Sequence, residues 1–108
     1  MVDFTEKQNW VEERNSSSFE SSFDYFHGEH KIPIELIKDE VLTFQVEIYN
    51  ENGGGWGYHL ENEKGDHLPM KESGERLEYE TVENASYYIV LHGDEVEGRF
   101  AVDWEISD

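Results

Sequence analysis

Val41-Leu42-Thr43-Phe44-Gln45-Val46-Glu47-Ile48-Tyr49-Asn50 is the stretch that decides the fold class. Leu42, Phe44, Val46 and Ile48 are apolar, and Thr43, Gln45 and Glu47 stand between them. Successive side chains of a strand point to opposite faces, so a period of two describes a strand with one face in a core and one in water. One-sided burial belongs to antiparallel sheets, because parallel strands are covered on both faces.

The same period runs outward in both directions. Towards the N-terminus, Phe19, Ser21, Phe23 and Tyr25 share a face, Gly28 reads as a turn, and Ile32, Ile34 and Leu36 alternate again. Pro33 in that run points to a strand edge, where a missing N–H breaks no ladder bond. Towards the C-terminus, the glycine-rich stretch 50–55 reads as a loop, followed by Trp56, Tyr58 and Leu60 and a polar turn over 62–66. Residues 67–70, with Pro69, read as a further edge. Leu77, Tyr79 and Thr81 alternate, and so do Tyr87, Ile89 and Leu91, with Tyr88, Val90 and His92 between them. Apolar residues on both faces of that last run predict a central strand. Residues 93–98 read as a turn before Phe100, Val102, Trp104 and Ile106. The expected fold is all-β: an antiparallel two-sheet β-sandwich, jelly-roll-like, of seven to eight short strands with frequent turns. Residues 18–108 form that sandwich. Residues 1–17 read as a tail, a short helix or an extra edge strand.

Composition sets the limits on function. The chain has 108 residues, the size of one domain. Leu, Ile, Val and Phe make up 26 of them, about 24%, above the roughly 20% below which chains stay disordered. Twenty-six Asp and Glu against eight Lys and Arg give a formal charge of -18. That balance argues against nucleic acid and anionic membranes as partners, since phosphate binding needs clustered Lys and Arg. It favours basic protein surfaces and divalent cations. The absence of cysteine removes disulfides, thiolate zinc sites and cysteine nucleophiles. No apolar run approaches the ~20 residues of a membrane span. The first residues lack the basic and apolar regions of a signal peptide. The expectation is therefore a cytoplasmic protein, or an extracellular or envelope protein whose signal has been removed.

Catalysis finds no support in the motifs. No serine sits in a Gly-x-Ser-x-Gly elbow, and with 26 carboxylates a pair carries no information about glycoside hydrolysis. Gly53-Gly54-Gly55-Trp56-Gly57 lacks the Lys-Ser/Thr of a phosphate loop. It reads instead as a hairpin loop that can contact a ligand, with Gly54, Trp56, Tyr58 and Tyr88 as the candidate binding residues. His27-Gly28-Glu29-His30 offers metal ligands, but a turn between strands splays such spacing. His59, His67 and His92 have no ligand partner nearby in sequence. Acidic turns suit Ca²⁺, a hard cation that takes oxygen ligands. Asp94, Glu95 and Glu97 form one candidate set, and Glu61, Glu63 and Asp66 another. Ca²⁺ is the one cofactor the residues suggest.

Phe23-Asp24-Tyr25-Phe26-His27-Gly28, residues 34–36 and the turn into 41–46, Ala85-Ser86-Tyr87-Tyr88-Ile89-Val90, and Gly98-Arg99-Phe100-Ala101-Val102 together carry a resemblance. The stretch from Ser18 onward resembles small β-sandwich domains of bacterial secreted proteins and lipoproteins, similar in outline to pre-peptidase C-terminal and GOLD-type domains. The resemblance implies a sandwich appended to a larger or envelope-anchored assembly, without catalysis. The expected function is a non-catalytic, monomeric binding module for a protein or glycan. The alternatives are an acidic inhibitor or nucleic-acid mimic that fills a basic groove, and a Ca²⁺-stabilised accessory domain.

Self-repulsion at a charge of -18 opposes compaction, and salt screens it. The melting temperature at pH 7 is therefore expected to rise as NaCl is taken from about 20 mM to about 300 mM. A salt-independent melting curve would show that the carboxylates are already compensated.

Overall fold

A computed structural model describes residues 6–51, 53–74 and 76–107. The first five residues of the N-terminal segment and Asn52 of the glycine loop lie outside them. Eight strands follow in order: β1 (Glu6–Gln8), β2 (Val11–Arg14), β3 (Ser18–Leu36), β4 (Val41–Asn50), β5 (Gly55–Glu61), β6 (Lys71–Ser73), β7 (Arg76–Glu80) and β8 (Ala85–Ser107). The fold is all-β. No helix occurs among the described residues, so none is long and apolar enough to cross a membrane.

All pairings are antiparallel and join one eight-stranded sheet in the order β1-β3-β8-β4-β7-β6, with β2 also on β3 and β5 also on β8. β8 is the central strand. It pairs with β3 along nearly its whole length, from Ser18↔Asp103 to Leu36↔Ala85. Its other edge takes β4 over Val41↔Ser107 to Asn50↔Gly98, then β5 over Gly55↔Asp94 to Glu61↔Tyr88. β4 and β5 thus form one interrupted third strand beside β8.

Gly28 and residues 93–98 are not turns. They lie inside strands of 19 and 23 residues. At about 3.3 Å per residue, a straight β8 would run ~75 Å, yet the longest dimension of the molecule is 39 Å. The ribbon must bend, and its irregularities coincide. The β3–β8 register shifts between Phe23 and Gly28, Gly28 faces Gly93, and the gap between β4 and β5 falls beside them. In β3 the inward positions pass from Phe19, Ser21 and Phe23 to Phe26, Ile32, Ile34 and Leu36. In β8 they pass from Tyr87, Ile89 and Leu91 to Val96, Phe100, Val102 and Trp104. One extra residue per strand, the signature of a β-bulge, keeps the same face inward on both sides of the bend. A single hydrophobic cluster results, drawing Leu60 and Ile89 from one half and Phe44, Tyr79 and Phe100 from the other.

The half holding β4 is widened by β7 and β6 on one side and by β1 and β2 on the other. Trp10, between β1 and β2, stacks on Phe23 at 5.2 Å and lies the same distance from Phe26 and from His30. Among the described residues the other half has three strands: the C-terminal part of β3, the N-terminal part of β8, and β5. Pro33 lies on a part of β3 that, among the described residues, no further strand covers, and its carbonyl accepts the Arg14 guanidinium at 2.6 Å. Residues 67–70 make a single bridge, Glu61↔His67, and no strand.

Two expectations follow from this packing. Gly98 sits at φ 145, and a Cβ there would run into the Tyr49 carbonyl across the β4–β8 ladder. Gly98→Ala is expected to lower stability by at least ~2 kcal/mol in urea unfolding; a neutral effect would mean that the bend does not need this close approach. His30 lies between Phe19, stacked at 5.0 Å, and Trp10, with Lys7 Nζ 2.9 Å from its Nδ1. Burial, followed by the Lys7 charge, lowers its pKa, with Glu12 opposing. The folded form then takes up the proton less readily than the unfolded one. The stability due to neutral His30 is complete above pH 6.5 and is lost as pH falls towards the depressed value. A proton NMR titration of the ring is expected to give a midpoint below 6.5, and an ordinary midpoint would remove Trp10 and Phe19 as its cover.

Candidate functional site

The three-stranded half carries two different surfaces, one on each side of the β5–β8 ladder. Trp56↔Gly93, Tyr58↔Leu91 and Leu60↔Ile89 are paired on the side that leads into the core. Leu60 is buried, Tyr58 is half-buried, and Trp56 at the mouth is 44% exposed. Trp56 stacks on Tyr58 at 6.2 Å with planes 21° apart, and Tyr58 meets Phe44 edge-on at 6.4 Å. The three rings form a column rooted in the core. Beside it a groove of about 350 Å³ runs between Trp56 and Tyr58 on β5 and His92, Gly93 and Asp94 on β8.

The opposite side of the same ladder is polar. Glu29 and Gly57 flank His92, Lys31 and His59 flank Val90, and Pro33 and Glu61 flank Tyr88. Val90 is fully buried although it points away from the core. Glu61, 5% exposed, links the residues on either side of it: Lys31 Nζ lies 3.1 Å from Oε2, and His59 Nε2 lies 2.8 Å from Oε1. Burial alone would raise the Glu61 carboxyl, but the hydrogen bonds from His59 and Lys31, with the Lys31 charge, outweigh it and hold the pKa below the ordinary value. His59 Nδ1 faces His92 Nε2 at 2.5 Å, His67 stacks on His59 at 3.8 Å, and Glu29 Oε2 lies 3.8 Å from His92 Nδ1. Burial, then the neighbouring His59, lowers the His92 pKa, with Glu29 and Glu61 offsetting part of the shift.

The residues proposed from sequence are distributed unevenly. Trp56 and Tyr58 come together, whereas Tyr88 lies across the ladder from them, beside Lys31 at 5.9 Å. Gly54 is set by close approach, since a Cβ there would strike the Glu95 carbonyl. Asp94 contacts His27 at 3.3 Å and Glu95 takes a positive φ of 56, with the buried Val96 between Glu95 and Glu97. Among the described residues these three do not converge as metal ligands. In the second acidic turn Glu61 points to His59 and Lys31, while Glu63 accepts the Ser86 N–H at 2.9 Å. His27 and His30 point to opposite sides of β3.

Sequence reasoning missed the set Glu29, His59 and His92, which offers three ligand atoms within 4.8 Å of one another. Each residue belongs to a different strand, and only the inter-strand register brings them together. The available signal was parity: His59 between Tyr58 and Leu60, and His92 after Leu91, both occupy outward positions of their strands. No protein-family model and no curated protein sequence matches the chain.

Proposed function

We propose that the chain is a non-catalytic binding module that engages a basic protein surface through the Trp56 groove. We further read its bent sheet as a two-layer, jelly-roll-like sandwich closed around the single core. The observation that carries the binding reading is the aromatic column. A tryptophan 44% exposed to solvent stacks on Tyr58, which itself meets the buried Phe44 edge-on, and an anchor already packed in this way lowers the ordering cost a partner must meet. Trp56 and Asp94 line the same groove, and that pairing of an indole with a carboxylate suits an Arg or Lys side chain, which gains both cation–π attraction and an ion pair. The charge of -18 adds long-range steering of a cationic partner. The resemblance to appended β-sandwich domains agrees with a role in attachment and not in catalysis.

The test is an amide NMR titration with an Arg-rich model peptide and, separately, with a panel of neutral polysaccharides. Shifts are expected at Trp56, Tyr58 and Asp94 with the peptide, at about 150 mM salt. Trp56→Ala is expected to leave the fold intact and weaken binding at least tenfold, as truncation of an aromatic anchor does. Shifts with a polysaccharide alone would make the ligand a glycan. Peptide shifts spread over all acidic surfaces and erased by salt would overturn the site.

A further inference from the structure

We propose that Glu29, His59 and His92 form a three-ligand site for a divalent transition-metal ion of the Zn²⁺ class. The case starts with the tautomer of His59. Its Nε2 lies 2.8 Å from a carboxylate oxygen of Glu61, which accepts a proton there. The lone pair is then on Nδ1, and Nδ1 is the atom turned towards His92 Nε2. A carboxylate behind an imidazole, orienting it and raising its basicity, is the usual outer layer of a histidine metal site. Here that carboxylate is buried and itself tied to Lys31, so the orientation is fixed.

Two imidazole nitrogens 2.5 Å apart must have a proton or a cation between them. Tetrahedral ligands with metal–nitrogen bonds of ~2.0–2.1 Å stand about 3.3 Å apart, so insertion of a metal requires the rings to separate by under about 1 Å. His59 is held by Glu61 and the stacked His67, leaving the half-exposed His92 to move. Glu29, opposite His92 on β3, lies nearest to His92 Nδ1 at 3.8 Å, so its exposed side chain must turn towards the Nε2 side of the ring to supply the third atom. Two imidazoles and one carboxylate select Zn²⁺, Co²⁺ or Cu²⁺ over Ca²⁺ and Mg²⁺, which require oxygen donors in larger number. The site shares His92 with the lining of the Trp56 groove, whereas Glu29 and His59 do not line that groove.

The test uses the untagged full chain, titrated with Co²⁺ by visible absorption and with Zn²⁺ by calorimetry. One equivalent is expected to bind, with the intense visible band of four-coordinate Co²⁺ displaced by Zn²⁺ and unaffected by excess Ca²⁺. Glu29→Gln and His92→Ala, both at half-exposed or exposed positions, are each expected to weaken binding at least tenfold while the amide NMR spectrum stays that of a folded chain. Glu61→Gln is expected to weaken it 10- to 100-fold without contacting the metal. His27→Ala and Trp56→Ala are expected to bind as the parent does. The absence of one-equivalent binding would leave a proton between the rings and overturn the proposal. Binding that survives His92→Ala, or that Ca²⁺ abolishes, would also overturn it.

Discussion

The pairing of β3 with β8 is the constraint on which everything else depends. It joins residues 18–36 to residues 85–107, and β1, β2, β4 and β5 each pair directly with one of these two strands. Its nearest ends, Leu36 and Ala85, enclose the whole of β4–β7, a non-local closure whose entropy is lost before much apolar surface is gained. What compensates is the long inward row: Phe19 beside Val102, Ile32 beside Ile89 and Ile34 beside Tyr87, each buried against the same core. The bulges at the bend matter because a slip of one residue would turn that row out into water.

Charge is arranged around this scaffold with the same economy of means. With eight cations against 26 carboxylates, general neutralisation is impossible, and the cations instead hold particular places. Arg14 reaches the Pro33 carbonyl and lies over the Trp104 ring, Arg99 lies over Tyr49, and Arg76 pairs with Asp103 at 3.0 Å. Lys31 meets the buried Glu61. Exposed pairs of this kind contribute little individually, whereas the Lys31–Glu61 contact offsets the desolvation of a carboxylate.

How much was legible in the sequence can be argued from particular runs. Alternation in Leu42, Phe44, Val46 and Ile48, and in Phe100, Val102 and Trp104, correctly assigned inward faces, because burial is read directly from a period of two. The two-sided apolar run at 87–91 marked β8 as central for the same reason. Gly28 and the stretch 93–98 misled, since a glycine signals departure from ordinary backbone geometry but not whether the chain reverses or merely bends. Facing glycines on two long strands, Gly28 opposite Gly93, produce a bend, and that pairing is a property of register. The same blindness hid the histidine cluster. His59 and His92 are 33 residues apart and meet diagonally only once Gly57 is placed opposite His92. Trp56 and Tyr58 were legible because their relation is local, two positions apart on one strand.

The polar cover over Val90 is not what stability alone would choose. A buried valine on the outer side of a sheet is shielded most cheaply by aliphatic neighbours, and replacing a buried ionic group by well-packed apolar residues is commonly neutral or stabilising. In this chain Val90 is flanked instead by Lys31 and His59, with a nearly inaccessible Glu61 joining them. Removing His59 would leave that carboxylate with one partner in a desolvated place, so the residues must be kept or exchanged together. Such a cluster fixes direction as well as position: it orients the His59 ring so that its second nitrogen faces outward, towards His92. A requirement for shielding does not explain that orientation, whereas a requirement to present a lone pair at a defined point does.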